Sequence, residues 1–109
     1  MTLKEARVRF SFLVAERLLP KARELGFEYA FDDVMVKGKV GHMANSLHYS
    51  GCAIDLILYK DGVYQIKTEE YKELVKYWES LDPDCKWGGG WGDGNHMSYA
   101  PIELFGGRK

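Results

Sequence analysis

Two stretches of the sequence contain the side chains best suited to chemistry, and each combines histidine with aspartate. In the first stretch, His48 precedes Asp55 by seven residues, and Asp55 lies inside the apolar run CAIDLILY. An unpaired carboxylate is costly to bury, so Asp55 needs a hydrogen-bonded partner, a cation or a metal ion. Neither Lys nor Arg occurs between Lys39 and Lys60, which disfavours a local ion pair. The spacing is compatible with a metal site, and also with a structural histidine and a locally hydrogen-bonded aspartate.

The second stretch is the glycine-rich segment KWGGGWGDGNH, in which Asp93 precedes His96 by three residues. Two histidines and one aspartate form a mixed nitrogen and oxygen ligand set that suits zinc, and three protein ligands leave one position for water. Zinc with an open position activates water or polarises a carbonyl, and a nearby carboxylate can accept the proton of that water. Asp93 could do so, although aspartate in a glycine-rich loop is also a common turn former.

The elements that must position these residues begin with a helix. Apolar residues recur at three- and four-residue steps, which predicts one buried helical face over residues 3–25. Pro20 should kink this helix or start a new turn, because proline lacks an N–H donor. Gly26 stands where a C-terminal cap is expected. An extended segment at 27–36 and a loop at 37–51 should follow.

The second half predicts a hairpin and then another helix. Cys52–Tyr59 is the strongest strand signal, and Lys60-Asp61-Gly62 predicts a tight turn into a second strand at Val63–Ile66. Thr68 can cap the next helix. The buried face of that helix is marked by Tyr71, Leu74, Val75, Trp78 and Leu81. The helix should end at Asp82-Pro83-Asp84, and a glycine-rich loop at 86–96 and a short tail should complete the chain.

Together, these elements predict an α+β fold in which a small antiparallel sheet is flanked by helices. The length of 109 residues indicates a single domain spanning residues 1–109.

Composition excludes several classes of function. With 15 Lys and Arg against 16 Asp and Glu, the net charge of -1 argues against a nucleic-acid partner. No apolar run approaches the roughly 20 residues that span a bilayer, so no membrane insertion is expected. Charged residues interrupt the N-terminus, which therefore does not resemble a secretory signal, and we expect synthesis in the cytoplasm. Two cysteines, Cys52 and Cys85, are too few for a disulfide scaffold.

Both stretches resemble one metallopeptidase family. SLHYSGCAID (Ser46 to Asp55) is similar to the Ser-x-His-x-x-x-x-x-x-Asp signature of zinc D-alanyl-D-alanine carboxypeptidases and dipeptidases, and WGGGWGDGNH (Trp87 to His96) to their Trp-Gly-Gly…Asp-x-x-His signature. The L-alanyl-D-glutamate endopeptidases of phage endolysins belong to the same family, and the intervening segment resembles their short, single-domain members. The resemblance implies the small α+β fold that these enzymes share with the zinc-bearing domain of hedgehog proteins.

Carried over residue by residue, the resemblance implies one Zn²⁺ per chain, held by His48, Asp55 and His96. It makes Asp93 the catalytic base and suggests that Ser46 braces the ligand loop. Trp87 and Trp91 would shape the cleft, although buried tryptophan also commonly serves packing alone.

One departure from the family concerns an arginine upstream of the first zinc ligand. No Arg occurs between Arg23 and Arg108 in this chain. Lys37 or Lys39 could substitute for it, but lysine does not reproduce a planar bidentate fork.

The resemblance therefore implies a zinc peptidase that cleaves an amide bond in a peptidoglycan stem peptide. We expect an endolysin-type endopeptidase that is monomeric and reaches the cell wall after release from the cytoplasm. The alternatives are a D-alanyl-D-alanine carboxypeptidase and, from another class, a non-catalytic zinc-binding recognition module.

Overall fold

The computed structural model of the chain describes residues 1–32, 50–88 and 94–106. Its N-terminal part is helical: α1 spans Leu3–Leu13, one wide π-helical segment spans Val14–Leu18, and α2 spans Leu19–Glu24. Thr2 caps α1, because its hydroxyl accepts the Glu5 backbone N–H while the Glu5 carboxylate accepts the Thr2 N–H.

The helix changes its hydrogen bonding directly before Pro20. The Leu19 N–H donates to the carbonyl of Val14, five residues back, and Pro20 then lies in the first turn of α2. Proline is tolerated there because its missing N–H has no partner in that turn. The expectation of a new turn at Pro20 is confirmed, as is the left-handed cap at Gly26, where φ is +92°.

Among the described residues, five strands form one antiparallel sheet. They are β1 (Glu28–Asp32), β2 (Ala53–Lys60), β3 (Val63–Tyr64), β4 (Cys85–Trp87) and β5 (His96–Tyr99). The order across the sheet is β1-β2-β5-β4, and β3 pairs with the end of β2. Asp61 and Gly62 both adopt positive φ, which gives the predicted tight hairpin turn between β2 and β3.

The remaining helices follow β3 and β5. A single 3₁₀ turn at Thr68–Tyr71 leads into α3 (Lys72–Ser80), and α4 covers Ile102–Phe105. Within the described residues, no helix is both long enough and apolar enough to span a bilayer.

The apolar core lies on one face of the sheet, under the helices. Leu56 and Leu58 of β2 are fully buried there, and the ring of Phe10 from α1 meets that of Trp78 from α3 edge-on at 6.0 Å. The predicted α+β fold with a small antiparallel sheet is therefore confirmed.

Three local predictions were wrong. The segment 86–96, expected to be a loop, contains the end of β4 and the start of β5, and the expected tail contains the rest of β5 and α4. Strands this short carry no periodicity of their own, and their hydrogen bonds come from distant partners. Thr68 does not cap α3 but lies at the start of the preceding 3₁₀ turn. There the Glu70 carboxylate accepts the Lys67 backbone N–H at 3.0 Å instead.

Candidate active site

Asp55 lies on the face of the sheet opposite the apolar core. Side chains alternate between the two faces of a strand, so Leu56 and Leu58 point into the core and Asp55 points away from it. Asp55 is nevertheless only 8% exposed. The central strand therefore presents a nearly buried carboxylate on the polar side of the sheet.

His96 is the neighbour of Asp55 on the adjacent strand. β5 runs antiparallel to β2 in a register that aligns His96 with Asp55, which puts the two side chains on the same face. Nδ1 of His96 lies 3.3 Å from Oδ1 of Asp55, and His96 is 5% exposed. With a proton on Nδ1, the imidazole donates to the carboxylate. Without that proton, a nitrogen and an oxygen lone pair lie side by side and suit a cation.

A second carboxylate extends this row on the other side of Asp55. The pairing of β1 with β2 aligns Asp32, whose side chain is exposed, with Asp55. Carboxylates aligned on neighbouring strands repel each other, and a cation beside them offsets that repulsion. The row formed by Asp32, Asp55 and His96 therefore favours positive charge at this end of the sheet.

The turn that leads into β5 is held by side chains from two other elements. The indole N–H of Trp87, at the end of β4, donates to the carbonyl of Gly94 at 2.7 Å. A Cβ atom on Gly94 would lie 2.7 Å from Oγ1 and 2.8 Å from Cα of Thr68, so only glycine fits against the 3₁₀ turn. These contacts fix where β5 starts, and His96 is its first residue.

Ser98 continues the polar face along β5. It is fully buried, and alternation along the strand places it on the same face as His96. Within the described ranges its Oγ has no hydrogen-bond partner. Buried hydroxyls are normally satisfied, so this atom marks a polar position two residues from His96.

The two thiols lie in the core. Cys52 and Cys85 are both free and buried. Burial raises the pKa of the Cys52 thiol. Burial, followed by the nearby Asp82 carboxylate, raises the pKa of Cys85 to about 12. Both thiols are therefore neutral packing groups at physiological pH.

The structure brings together two of the residues that the sequence nominated, Asp55 and His96. Trp87, expected with Trp91 to shape the cleft, lies at the end of β4 and contacts Gly94. Six further nominated residues lie outside the described residues: His48, Asp93, Ser46, Lys37, Lys39 and Trp91. Within residues 1–32, 50–88 and 94–106, no group of three or more His, Cys, Asp or Glu side chains is placed to hold a metal ion. The roles of those six residues stay predictions from the sequence.

Sequence reasoning missed two residues that contact or align with the strand carrying Asp55 or with its entry. Asp32 belongs to an Asp-Asp pair at the end of an extended segment, and only strand register reveals which aspartate aligns with Asp55. Arg7 contacts the residue Ser50, 43 positions away, so no local pattern identifies it.

More than half of the chain matches a known protein family. Residues 40–99 match the family model described as D-alanyl-D-alanine carboxypeptidase. The match covers more than half of the 109 residues and includes both histidine–aspartate stretches. The chain belongs to this family. Asp55 and His96 both fall inside the D-alanyl-D-alanine carboxypeptidase match, whereas α1 precedes it.

Membership in the D-alanyl-D-alanine carboxypeptidase family confirms, at the level of the family, the resemblance that the two signatures showed. At that level the chain is a peptidase whose substrate class is peptidoglycan. No curated protein and no solved structure matches the chain.

Proposed function

We propose that the protein is a zinc-dependent peptidase that hydrolyses an amide bond in peptidoglycan stem peptides, with the specificity of an L-alanyl-D-glutamate endopeptidase. The observation that carries this proposal is the buried pair on the polar face of the sheet, where Nδ1 of His96 lies 3.3 Å from Oδ1 of Asp55.

The spacing of this pair fits a shared zinc ion. Tetrahedral zinc holds histidine nitrogen and carboxylate oxygen at about 2.0–2.2 Å, which places two such donors about 3.3–3.5 Å apart. The observed 3.3 Å lies in this range. The aligned carboxylate of Asp32 adds negative charge next to the pair, which also favours a cation.

The third proposed ligand is His48. Its separation from Asp55 is odd, and in a straight strand such a pair would point to opposite faces. The chain is not straight here, since Gly51 adopts a left-handed φ of +78° just before β2 begins. This change of direction at Ser50–Gly51, called the Ser50–Gly51 corner below, supports the approach of His48 and Asp55 to one ion. We assign one Zn²⁺ per chain to His48, Asp55 and His96.

The proposed site residues have separate roles in hydrolysis. When bound by these residues, Zn²⁺ would supply Lewis acidity that polarises the amide carbonyl. Asp93 accepts the proton of the attacking water and returns it to the nitrogen of the leaving amine. The buried position of Asp55 and His96 keeps bulk water from competing for the ligand atoms.

The endopeptidase specificity rests on the similarity of the segment between the two signatures to short phage members of the family. The family description itself favours a second candidate, a D-alanyl-D-alanine carboxypeptidase. The two activities release different products, because an endopeptidase frees the new amino group of D-glutamate and a carboxypeptidase frees D-alanine.

The test is incubation of the zinc-loaded protein with purified peptidoglycan, followed by mass spectrometry of the soluble fragments. We expect fragments that begin with D-glutamate and no free D-alanine. Asp93→Asn should keep its zinc but lose roughly 10²-fold or more in turnover, as expected for loss of a general base. Asp61→Asn is the matched control, since Asp61 lies at the exposed hairpin turn.

Release of D-alanine alone would favour the carboxypeptidase. A native protein that binds zinc stoichiometrically and hydrolyses no bond in peptidoglycan would instead favour the non-catalytic recognition module. An Asp93→Asn variant with full zinc and native turnover would show that another group is the base.

A further inference from the structure

The N-terminal helix α1 touches the corner that precedes β2. The Nε–H of Arg7 donates to the backbone carbonyl of Ser50 at 2.6 Å. This contact joins residues 43 positions apart, so α1 is tied directly to the entry of the strand that carries Asp55.

Gly51, the residue after Ser50, leaves room for the Arg7 side chain. Gly51 adopts a φ of +78°, a conformation that other residues rarely take. A Cβ atom on Gly51 would lie 3.1 Å from Nε and 3.5 Å from Cγ of Arg7. The arginine therefore packs against the bare Cα atom of the corner and donates to its carbonyl at the same time.

The corner is also anchored from the sheet. The Tyr99 N–H donates to the carbonyl of Cys52 at 2.9 Å, and Cys52 is fully buried. β5 thus holds one end of the corner and α1 holds the other. Ser50 follows His48 by two residues in the sequence and precedes Asp55 by five, so this corner separates two of the proposed zinc ligands.

We propose that Arg7 is a positioning residue of the metal site, because it fixes the Ser50–Gly51 corner from which β2 and its proposed ligand Asp55 continue. This inference rests on the proposed zinc function. Arg7 lies in α1, outside the family match at 40–99, so the contact between Arg7 and Ser50 involves a part of this chain that the family model does not cover. Partners that orient metal ligands typically contribute 10- to 100-fold to metal affinity.

The direction in which zinc affinity changes when Arg7 is replaced distinguishes a positioning role from an electrostatic one. If charge alone matters, removing the positive charge of Arg7 should leave zinc binding unchanged or strengthen it, because like charges repel. Loss of a positioning contact should weaken binding instead.

The experiment compares Arg7→Met, which keeps the aliphatic stem, with Arg7→Lys, which keeps the positive charge and N–H donors on a single nitrogen. Arg9→Met is the matched control, since Arg9 lies two residues further along the same helix and contacts Asp82 and the Phe12 ring. Zinc affinity is measured by chelator competition. In the metal-free proteins, hydrogen exchange is measured over residues 50–55.

We expect Arg7→Met to bind zinc about 10-fold or more weakly and to exchange faster over residues 50–55. Arg7→Lys should recover part of the affinity, and Arg9→Met should match the native protein in both measurements. Native or stronger zinc affinity in Arg7→Met would overturn the proposal while leaving the zinc function intact. A native protein that binds no zinc would overturn the proposed function, and unchanged exchange in Arg7→Met would separately refute the positioning contact.

Discussion

At the scale of single residues, Asp55 is the candidate ligand that the sequence identifies most clearly. A carboxylate in an apolar run with no cation for 15 residues before it predicts a special partner, and the structure supplies His96 at 3.3 Å. Local sequence could not show that His96 is that partner, because the two residues are 41 positions apart and meet only through strand register.

Replacement of Asp55 by asparagine tests its role as a ligand. Asp55→Asn keeps the shape of the side chain and removes its negative charge, so zinc affinity should fall roughly 100-fold or more. The fold should persist, because Asp55 points away from the apolar core. Zinc content and circular dichroism measure the two effects.

The control for this substitution is Asp61→Asn, which removes an exposed carboxylate and should leave zinc content unchanged. A folded Asp55→Asn protein with native zinc affinity would exclude Asp55 from the ligand set.

The cysteines allow a test of the core by reactivity. The thiolate is the reactive form, and burial together with Asp82 raises the pKa of Cys85 to about 12 from an ordinary value of 9.0. At pH 8 the thiolate fraction of Cys85 should therefore be about 10³-fold lower in the folded protein than in the unfolded chain.

Alkylation at pH 8, followed by mass spectrometry, should modify Cys85 slowly in buffer and rapidly in denaturant. Equal rates in the two conditions would contradict the buried position of this thiol. The proposed function would be unaffected, since neither cysteine belongs to the candidate site.

At the scale of elements, the long periodic segments and the hairpin were predictable, whereas the two strands β4 and β5 were not. The helical face over residues 3–25, the hairpin at Asp61-Gly62 and the buried face of α3 follow from periodicity and turn chemistry that each segment carries itself. β4 and β5 have three and four residues, and they exist because their backbone groups pair with each other and with β2. The glycines beside β4 and β5 predict a loop when the strands that pair with these two are not known.

The turn before β5 is the element most directly connected to the proposed base. Trp87 donates its indole N–H to Gly94, the residue that follows Asp93 in the sequence. Trp87→Phe keeps the ring and removes this donor. We expect turnover to fall about 10-fold or more, because small displacements of a catalytic group are costly. Zinc affinity should change little, because the pairing of β5 with β2 still aligns His96 with Asp55.

Trp78→Phe is the matched control for this substitution. Trp78 also donates its indole N–H to a backbone carbonyl, that of Lys86 at 3.1 Å, but its ring lies in the core. Each variant should lose about 1 kcal/mol of stability with the lost hydrogen bond. Trp78→Phe should lose more, because it also leaves a cavity in the core. Equal losses of turnover in the two variants would mean that the Trp87 contact supports only the fold.

At the scale of the whole molecule, the sheet couples the core to the candidate site. Adjacent residues of β2 point to opposite faces, so Leu56 packs under the helices while Asp55 faces His96. A ligand that binds only the folded chain stabilises it by mass action. Occupation of the metal site should therefore stabilise the entire domain, including helices that do not touch it.

Thermal unfolding with and without a chelator tests this coupling. At zinc concentrations about 100-fold above the Kd, the bound ion should contribute about 2.7 kcal/mol, which corresponds to roughly 10 °C in Tm for a domain of this size. Asp55→Asn should show no rise in Tm on addition of zinc, whereas Asp61→Asn should show the full rise. A native Tm that is the same in chelator and in excess zinc would contradict a metal site held by the folded sheet. A rise that persists in Asp55→Asn would place the ion elsewhere and leave the contact between Asp55 and His96 as a structural hydrogen bond.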